Sequence, residues 1–312
     1  MTTTPDTATT PGARPFRFGV VAAQAPTGTA WLDTAGRLES LGYDTLVMPD
    51  SIAHGLAVVP MLAAAATATN RLHLGTYVMA NDFRHPVQVA KDALTLAYLS
   101  DGRFELGIGA GHPGTGPDNA MLGHPFDTPG TRVTRLAESL DIIRRLLDGQ
   151  TVTTTGQHYT TTDASITPHS IEIPHVPLLI GAGGPRMLTL AAQHADTVAL
   201  GIPLDADATE AARRINQLRH ALHNAPERDH RPQPELNINL MAIGDAVPRY
   251  LADKIDPTAL AAAGAVSVVT GSPQEMADQL RERRERLGIS YVVVGEELVE
   301  AFTPVLRILS GE

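Results

Sequence analysis

The chain has 312 residues, 43% of them hydrophobic and 19% charged, with a formal net charge of −10 and no cysteine. This length suits one large α/β domain with a well-buried core. The lack of cysteine excludes disulfides and thiolate metal sites, and the negative charge argues against nucleic-acid and anionic-membrane partners.

The first fourteen residues, MTTTPDTATTPGAR, are rich in threonine and proline and poor in large apolar residues. Because such a segment buries too little surface to order itself, we expect a disordered tail over residues 1–14 and a single domain over residues 15–312. We find no secretory leader pattern and no run close to the ~20 apolar residues of a membrane span. We therefore expect a cytoplasmic protein.

Apolar, strand-like runs alternate with amphipathic segments along the rest of the chain. The expected strands are 16–23, 45–48, 72–79, 104–109, 177–180, 197–200, 236–243 and 291–294. The expected helices are 31–41, 58–69, 86–99, 132–147, 185–194, 208–222, 249–263, 273–287 and 303–309. Eight strands separated by helices predict an α/β fold of the (β/α)8 TIM-barrel type. A doubly wound open sheet is the alternative.

Residues 151–177 interrupt this alternation after the fourth predicted helix. They are rich in threonine and proline and show no helical period. Because the segment is long for a plain connection, we interpret it as an insertion with a functional role over the mouth of the barrel.

Two glycine-rich segments follow predicted strands, where a parallel barrel carries its functional groups. The first contains Gly109, Ala110, Gly111 and His112. Bare glycine backbone leaves room for a flat ring, and the histidine could carry a proton near neutral pH. The alternative is a flexible loop whose histidine is merely exposed.

The second segment, after the fifth predicted strand, leads directly into a helix. It contains Gly181, Ala182, Gly183, Gly184 and Arg186. Glycines allow close approach to the backbone, a helix N-terminus offers free N–H groups, and arginine can bind a phosphate. The alternative is a tight strand-to-helix turn, and the segment lacks the dinucleotide pattern G-x-G-x-x-G.

Polar residues also follow the second and third predicted strands. Asp50, Ser51 and His54 form a possible polar cluster, and Asn81 or Asp82 could line the mouth of the barrel. A serine hydrolase is disfavoured because Ser51 lies in no G-x-S-x-G turn. The twelve histidines show no close metal-ligand spacing, so we expect no metal site.

Residues 71–112, RLHLGTYVMANDFRHPVQVAKDALTLAYLSDGRFELGIGAGH, resemble the luciferase-like monooxygenases and their deazaflavin-dependent oxidoreductase branch. The shared features are a Gly-Thr strand, a His-Pro helix start, a Ser-x-Gly-Arg-Phe turn and a Gly-x-Gly-x-Gly strand end. The flanking runs LGYDTLVMPD and PLLIGAGGPRMLTLAAQHAD strengthen the resemblance.

The resemblance implies a barrel with an inserted segment, a phosphate site at residues 181–186, and a cofactor ring against the third and fourth strand ends. It also implies a homodimer. By position, the non-prolyl cis peptide bond that the family often carries behind the ring is the bond between Tyr77 and Val78.

One branch of the family uses FMN with oxygen, and another uses coenzyme F420 for hydride transfer. The runs NDFRHPV and PLLIGAGG are closer to the second. We therefore expect an F420-dependent oxidoreductase that acts on a small organic substrate, for example by reducing a C=C or C=N bond in specialised metabolism. An FMN-dependent two-component monooxygenase and a catalytically inactive cofactor-binding barrel are the alternatives.

The chain departs from the family that it resembles at the position of the acid–base residue. Many relatives carry a histidine directly after the second-strand aspartate, where this chain has Ser51, and some carry a glutamate in place of His112. We take His112 as the first candidate for the proton carrier, His54 as the second and Ser51 as the third.

Overall fold

The computed structural model describes residues 14–23, 25–168, 174–225 and 231–312. The strands are β1 (Arg17–Val21), β2 (Thr45–Met48), β3 (His73–Thr76), β4 (Met79–Ala80), β5 (Phe104–Gly109), β6 (Val152–Thr155), β7 (Thr160–Ala164), β8 (Leu178–Ala182), β9 (Thr197–Leu200), β10 (Glu235–Leu240), β11 (Ala242–Ile243), β12 (Val268–Val269) and β13 (Ile289–Gly295).

The helices alternate with the strands along the chain. They are α1 (Gly28–Leu41), α2 (Val58–Ala68), α3 (Pro86–Leu99), α4 (Gly116–Met121), α5 (Pro129–Leu147), α6 (Pro185–His194), α7 (Ala208–His223), α8 (Pro257–Ala262), α9 (Pro273–Leu287) and α10 (Val299–Leu309). Local signals set several ends: Ser272 and Glu275 form a capping box before α9, and Gly288 ends that helix at φ +80°.

The parallel strands close into the predicted (β/α)8 barrel. Neighbouring strands follow the order β3-β2-β1-β13-β10-β9-β8-β5, and β3 pairs with β5 to complete the circle. The open-sheet alternative is therefore wrong. Outward-facing side chains such as Val20, Leu46 and Ile108 are fully buried and belong to the main core shared with the helices.

A charged cluster occupies the inside of the barrel near the amino ends of the strands. The Arg17 guanidinium lies 2.8 Å from a Glu105 carboxylate oxygen and 3.4 Å from one of Glu235, and it covers the ring of Tyr291 at 3.8 Å. Because each charge has a partner, the cluster can be accommodated beneath an apolar layer that includes Val47, Leu179 and Val293. This arrangement leaves the carboxyl ends of the strands as the open mouth.

Glycine permits the closest strand contact in the barrel wall. A Cβ on Gly107 would lie 1.8 Å from the Thr76 carbonyl oxygen, so no other residue fits there without movement. The same two residues are joined by the Thr76 hydroxyl, which donates to the Gly107 carbonyl at 2.6 Å and accepts from the Gly107 amide at 2.9 Å. This contact lies next to the Leu74–Phe104 and Gly75–Glu105 pairs that join β3 to β5.

The predicted third strand is split into β3 and β4 by the bond between Tyr77 and Val78, which is cis. The cis bond predicted from the family resemblance is thus confirmed. Downstream of the split, Met79 pairs with Ile108 and Ala80 with Gly109, so the chain continues beside β5 as far as the rim.

Several predicted boundaries are wrong. Of the expected helix over 249–263, only the short α8 is helical. The residues before it form turns held by backbone hydrogen bonds, such as the one that the Lys254 amide donates to the Leu251 carbonyl. The expected strand over 236–243 divides into β10 and β11. Helix α4 was not predicted, so the insertion at 151–177 follows the fifth helix rather than the fourth.

The described part of the insertion contains an antiparallel hairpin, β6 with β7, where only an irregular segment was expected. The Glu138 carboxylate on α5 holds the hairpin turn by accepting from the amides of Gln157, His158 and Tyr159. Residues 169–173 of the insertion lie outside the described residues, as does the predicted tail apart from Arg14.

We predict that Gly107→Ala destabilises the protein, whereas Gly36→Ala on α1 does not. The first substitution forces a methyl group against the Thr76 carbonyl and should cost about 1–3 kcal/mol. A Cβ on Gly36 meets no atom within 4 Å, and the substitution should add about 0.5–1 kcal/mol by raising helix propensity. Urea unfolding of both variants measures the difference, and equal stabilities would contradict the close contact.

Candidate active site

The two glycine-rich segments lie side by side at the same rim of the barrel. Strands β5 and β8 are parallel neighbours, with Gly107 opposite Leu179 and Ile108 opposite Ile180. Their next residues, Gly109 and Gly181, are therefore adjacent at the carboxyl ends. This juxtaposition gives a patch of inward-facing backbone without side chains.

The side chain of Val78 lies against this bare backbone. Its methyl groups are 3.3, 3.0 and 3.6 Å from the positions that a Cβ would take on Gly107, Gly109 and Gly181. Any side chain at Gly109 would press on Val78, so the glycines make room for it. Val78 and Gly181 are only half-buried, which means that this surface is reached from the mouth.

Tyr77 connects the same surface to the interior of the barrel. Its hydroxyl donates to Asn237 Oδ1 at 2.6 Å, and the Asn237 amide donates to the Tyr291 carbonyl at 3.3 Å. Burial raises the pKa of Tyr77 far above its usual range. The phenol therefore stays neutral and serves as a hydrogen-bond donor rather than a base.

Asp50 is fully engaged at the end of β2. Its carboxylate accepts two hydrogen bonds from the Arg84 guanidinium, at 2.6 and 3.0 Å, and a third from the Ala80 amide at 3.2 Å. The Asp50 side chain is 2% exposed, whereas the Arg84 side chain is 23% exposed, so only the carboxylate of the pair is buried. Through these bonds, Asp50 holds the segment from Ala80 to Arg84 against the end of β2.

Ser51 is held by a carboxylate that the sequence did not single out. The buried Asp118 on α4 accepts from the Ser51 hydroxyl at 2.9 Å and from the amides of Ile52 and Ala53 at 2.6 and 2.7 Å. The Ser51 oxygen in turn accepts from the His54 amide at 3.0 Å. With its proton directed at Asp118, Ser51 shapes the loop, while the His54 side chain is exposed.

The pKa of Asp118 reflects this role. Burial alone would raise the pKa, but the hydrogen bonds from Ala53, Ser51 and Ile52 outweigh it and hold the pKa below its usual range. The carboxylate is therefore charged under all ordinary conditions and ties the loop after β2 to α4.

His112 is exposed at the rim, directly beyond the bare backbone of β5. Its Nδ1 accepts a hydrogen bond from the Gly114 amide at 3.0 Å, which places the proton of the neutral ring on Nε2. The preceding turn is anchored by the buried Arg132, which donates to the carbonyls of Ala110 at 3.0 Å and Asp127 at 2.7 Å. Gly111 makes this turn possible with φ +75°.

Asn81 lies buried beside the insertion hairpin, and its amide donates to the Tyr159 hydroxyl at 3.2 Å. Asn81 Oδ1, Asp82 Oδ2 and Asn239 Oδ1 are buried without a hydrogen-bond partner in the part of the chain that the structure describes. Asn239 is on β10, where the sequence predicted only a strand. Unpaired buried acceptors near the carboxyl ends of strands are characteristic of a surface that binds a polar group.

The segment at residues 181–186 joins β8 to α6. Arg214 on α7 donates to the carbonyls of Gly183 at 2.8 Å and Gly201 at 2.6 Å, and so clamps two strand ends together. Gly184 is the exposed N-cap of α6 and offers no side-chain cap to the helix. The Arg186 guanidinium is also exposed and lies 3.0 Å from the position of a Cβ on Gly130, at the start of α5. Ala182 is buried beneath the segment.

The structure thus brings most of the predicted site residues to one rim. The positioning residues Arg84, Asp118, Arg132 and Arg214 were missed because their partners are distant in sequence. Among the described residues, no group of three potential ligands could hold a metal ion, and no helix is long and apolar enough to cross a membrane.

Residues 13–242 match the model of a family described as luciferase-like monooxygenase. The chain belongs to this family. The resemblance seen in the sequence is therefore confirmed, and with it the fold.

The chain is similar to the F420-dependent glucose-6-phosphate dehydrogenase of Nakamurella multipartita, with 34% identity over 191 residues, 58% of this chain and 55% of that protein. It is also 34% identical over 179 residues to the 4-hydroxyprotoasukamycin monooxygenase of Streptomyces nodosus subsp. asukaensis, 55% of this chain and 47% of that protein. The chain spans about half the length of the curated relatives it matches.

A solved structure, the coenzyme F420-dependent tetrahydromethanopterin reductase from Methanopyrus kandleri, has the same fold. Its TM-score is 0.74 at 20% identity, over 94% of this chain and 97% of that one.

We predict that Asp118→Ala lowers the free energy of unfolding by about 1–3 kcal/mol at neutral pH, because the Ser51 hydroxyl and the Ile52 and Ala53 amides lose a shared charged acceptor. Since the folded pKa of Asp118 is depressed, its contribution is complete above the unfolded value of about 4 and is lost as the pH falls through the folded pKa.

Urea unfolding of both proteins between neutral pH and about pH 3.5 tests this. The gap between wild type and variant should narrow toward the acidic end, while the exposed control Asp141→Ala stays within about 0.5 kcal/mol of wild type throughout. A gap that is the same at every pH would show that the carboxylate charge does not matter.

Proposed function

We propose that the protein is an F420-dependent oxidoreductase that transfers a hydride between the deazaflavin and a small organic substrate. The observation that carries the proposal is the patch at Gly109, Gly181 and Val78. Two adjacent strand ends bare of side chains and one half-buried valine form a surface suited to a flat ring.

The residues at the rim suit the rest of the cofactor. The Arg186 and Met187 amides in the first turn of α6, where Pro185 has no N–H, and the exposed guanidinium of Arg186 would hold an anionic phosphate. The buried acceptor Oδ1 of Asn81 or of Asn239 would accept from ring N–H groups. F420 supplies the hydride chemistry, and the protein supplies orientation.

The protein's own chemical contribution is a proton. His112 carries a proton on Nε2 at the rim, because its Nδ1 is occupied by the Gly114 amide. It could therefore donate to the substrate atom next to the carbon that receives hydride, and recover a proton from water afterwards. His54 is the second candidate, since the Ser51 hydroxyl is committed to Asp118.

Several curated relatives are F420-dependent dehydrogenases, which supports F420 over FMN. An FMN-dependent monooxygenase is the second candidate, and the similarity to a monooxygenase from Streptomyces nodosus subsp. asukaensis favours it. A catalytically inactive cofactor-binding barrel is the third.

The proposed substrate chemistry, reduction of a C=C or C=N bond, rests on family analogy. The homodimer and the cytoplasmic location stay predictions from the sequence.

We predict that F420 binds at low micromolar concentration and that FMN binds at least about ten-fold more weakly. Arg186→Gln should weaken F420 binding about ten-fold or more, because a charged contact to the phosphate is lost. Fluorescence titration of the protein with each cofactor measures both. The control Arg213→Gln removes an exposed arginine that pairs with Glu210 on α7, and it should leave F420 binding unchanged. Tighter binding of FMN would decide for the monooxygenase.

We predict that His112→Ala slows single-turnover oxidation of reduced F420 by about 10²–10⁴-fold, as expected for loss of a proton donor. F420 affinity should change less than two-fold. The measurement is stopped-flow absorbance with a panel of activated alkenes and imines. The same experiment with His54→Ala compares the two candidates: a large effect there and none for His112→Ala would transfer the role to His54.

A further inference from the structure

A second cavity lies away from the mouth, between α7, α8 and α9. Its volume is about 390 Å³, within the range of small-molecule sites. Its lining residues include small apolar residues such as Ala261, Ala265 and Val268, and also Arg283 and Arg286. None of its lining residues belongs to the candidate active site.

Arg283 forms no salt bridge with any carboxylate among the residues that the structure describes. Its Nη2 donates to the Val268 carbonyl at 2.6 Å, and its Nη1 is buried with no hydrogen-bond partner among the described residues. Burial lowers the pKa of Arg283 to about 10, and the charge of the neighbouring Glu282 only partly opposes the shift. Burial of a charged group without a paired counter-charge is costly, so the position calls for a ligand or a strong structural reason.

Other arginines that hold backbone carbonyls form more hydrogen bonds than Arg283 does. Arg103 donates to four acceptors, three of them backbone carbonyls, at 2.6 to 3.1 Å. Arg214 donates to two carbonyls and to the Glu210 carboxylate. Arg283 has one carbonyl for five donors, so a purely structural role would use little of its capacity.

The other polar groups of the cavity do not neutralise Arg283. Glu282 pairs with Arg286 at 2.5 Å, and Gln279 is engaged with the backbone of Thr270 through both ends of its amide. The cavity therefore has one uncompensated positive charge beside an apolar wall. A complementary ligand has one negative charge and an apolar body.

We propose that this cavity binds a small organic monoanion, a carboxylate on an apolar body, with its carboxylate paired to Arg283. The proposal does not depend on the proposed function, because the two sites share no residue. A planar carboxylate matches the guanidinium fork, and the alanine and valine wall accommodates an aliphatic or aromatic group.

The test is a ¹⁹F NMR titration of the whole protein with 4-fluorobenzoate, and with its neutral twin 4-fluorobenzamide. We expect saturable broadening with the benzoate and at least about ten-fold weaker binding of the amide. Arg283→Gln, which keeps a donor for the Val268 carbonyl but removes the charge, should weaken benzoate binding about ten-fold or more. Arg145→Gln on the surface of α5 is the control and should have no effect.

A second variant keeps the proposal testable if Arg283→Gln does not fold. Ala261→Leu narrows the cavity from the half-buried face of α8, keeps Arg283, and should also weaken benzoate binding. Absence of saturable binding to the wild type, or benzoate binding that neither variant changes, would overturn the proposal. In the latter case the probe would be bound elsewhere, for example at the mouth of the barrel.

Discussion

The barrel closes between β3 and β5, and Gly107 lets the two strands approach there without a side chain between them. The Thr76 carbonyl occupies the space that a Cβ would need, and the Thr76 hydroxyl joins both backbone groups of the glycine. This contact brings the end of β3 against β5, and β8 lies on the other side of β5. Val78 is thereby placed over Gly109 and Gly181, so the candidate cofactor surface follows from the same contact that closes the sheet.

Charge is distributed so that the two ends of the barrel differ. At the amino end, Arg17 pairs with both Glu105 and Glu235 inside the barrel. At the carboxyl end, carboxylates are used to fix loops: Asp50 binds Arg84, and Asp118 binds the loop at Ser51. Because these acids are already paired, the rim still offers the Arg186 guanidinium and the N-terminus of α6 to an anionic group, although the net charge of the chain is −10.

Much of the fold could be predicted from the sequence, because the hydrophobic period reports directly which face of each element is buried. Strand β2 and helices α3, α6 and α9 have the predicted bounds. The short elements were not predicted correctly, and the reason is physical. The turn of the β6–β7 hairpin is held by Glu138, which lies about twenty residues earlier in the chain, and the local pattern does not record this contact. The family resemblance, rather than periodicity, supplied the cis bond at Tyr77.

The sequence by itself determined the alternation of strands and helices, the glycine-rich strand ends and the candidate histidine, since each is a property of residues adjacent in the chain. Only the tertiary structure decided that Gly109 and Gly181 are neighbours, that the Ser51 hydroxyl is directed at Asp118, and that Arg283 Nη1 is buried without a hydrogen-bond partner in the described part of the chain. The reason is that hydrogen bonding and charge pairing depend on distances between side chains that lie tens of residues apart, and these distances exist only after the barrel has closed.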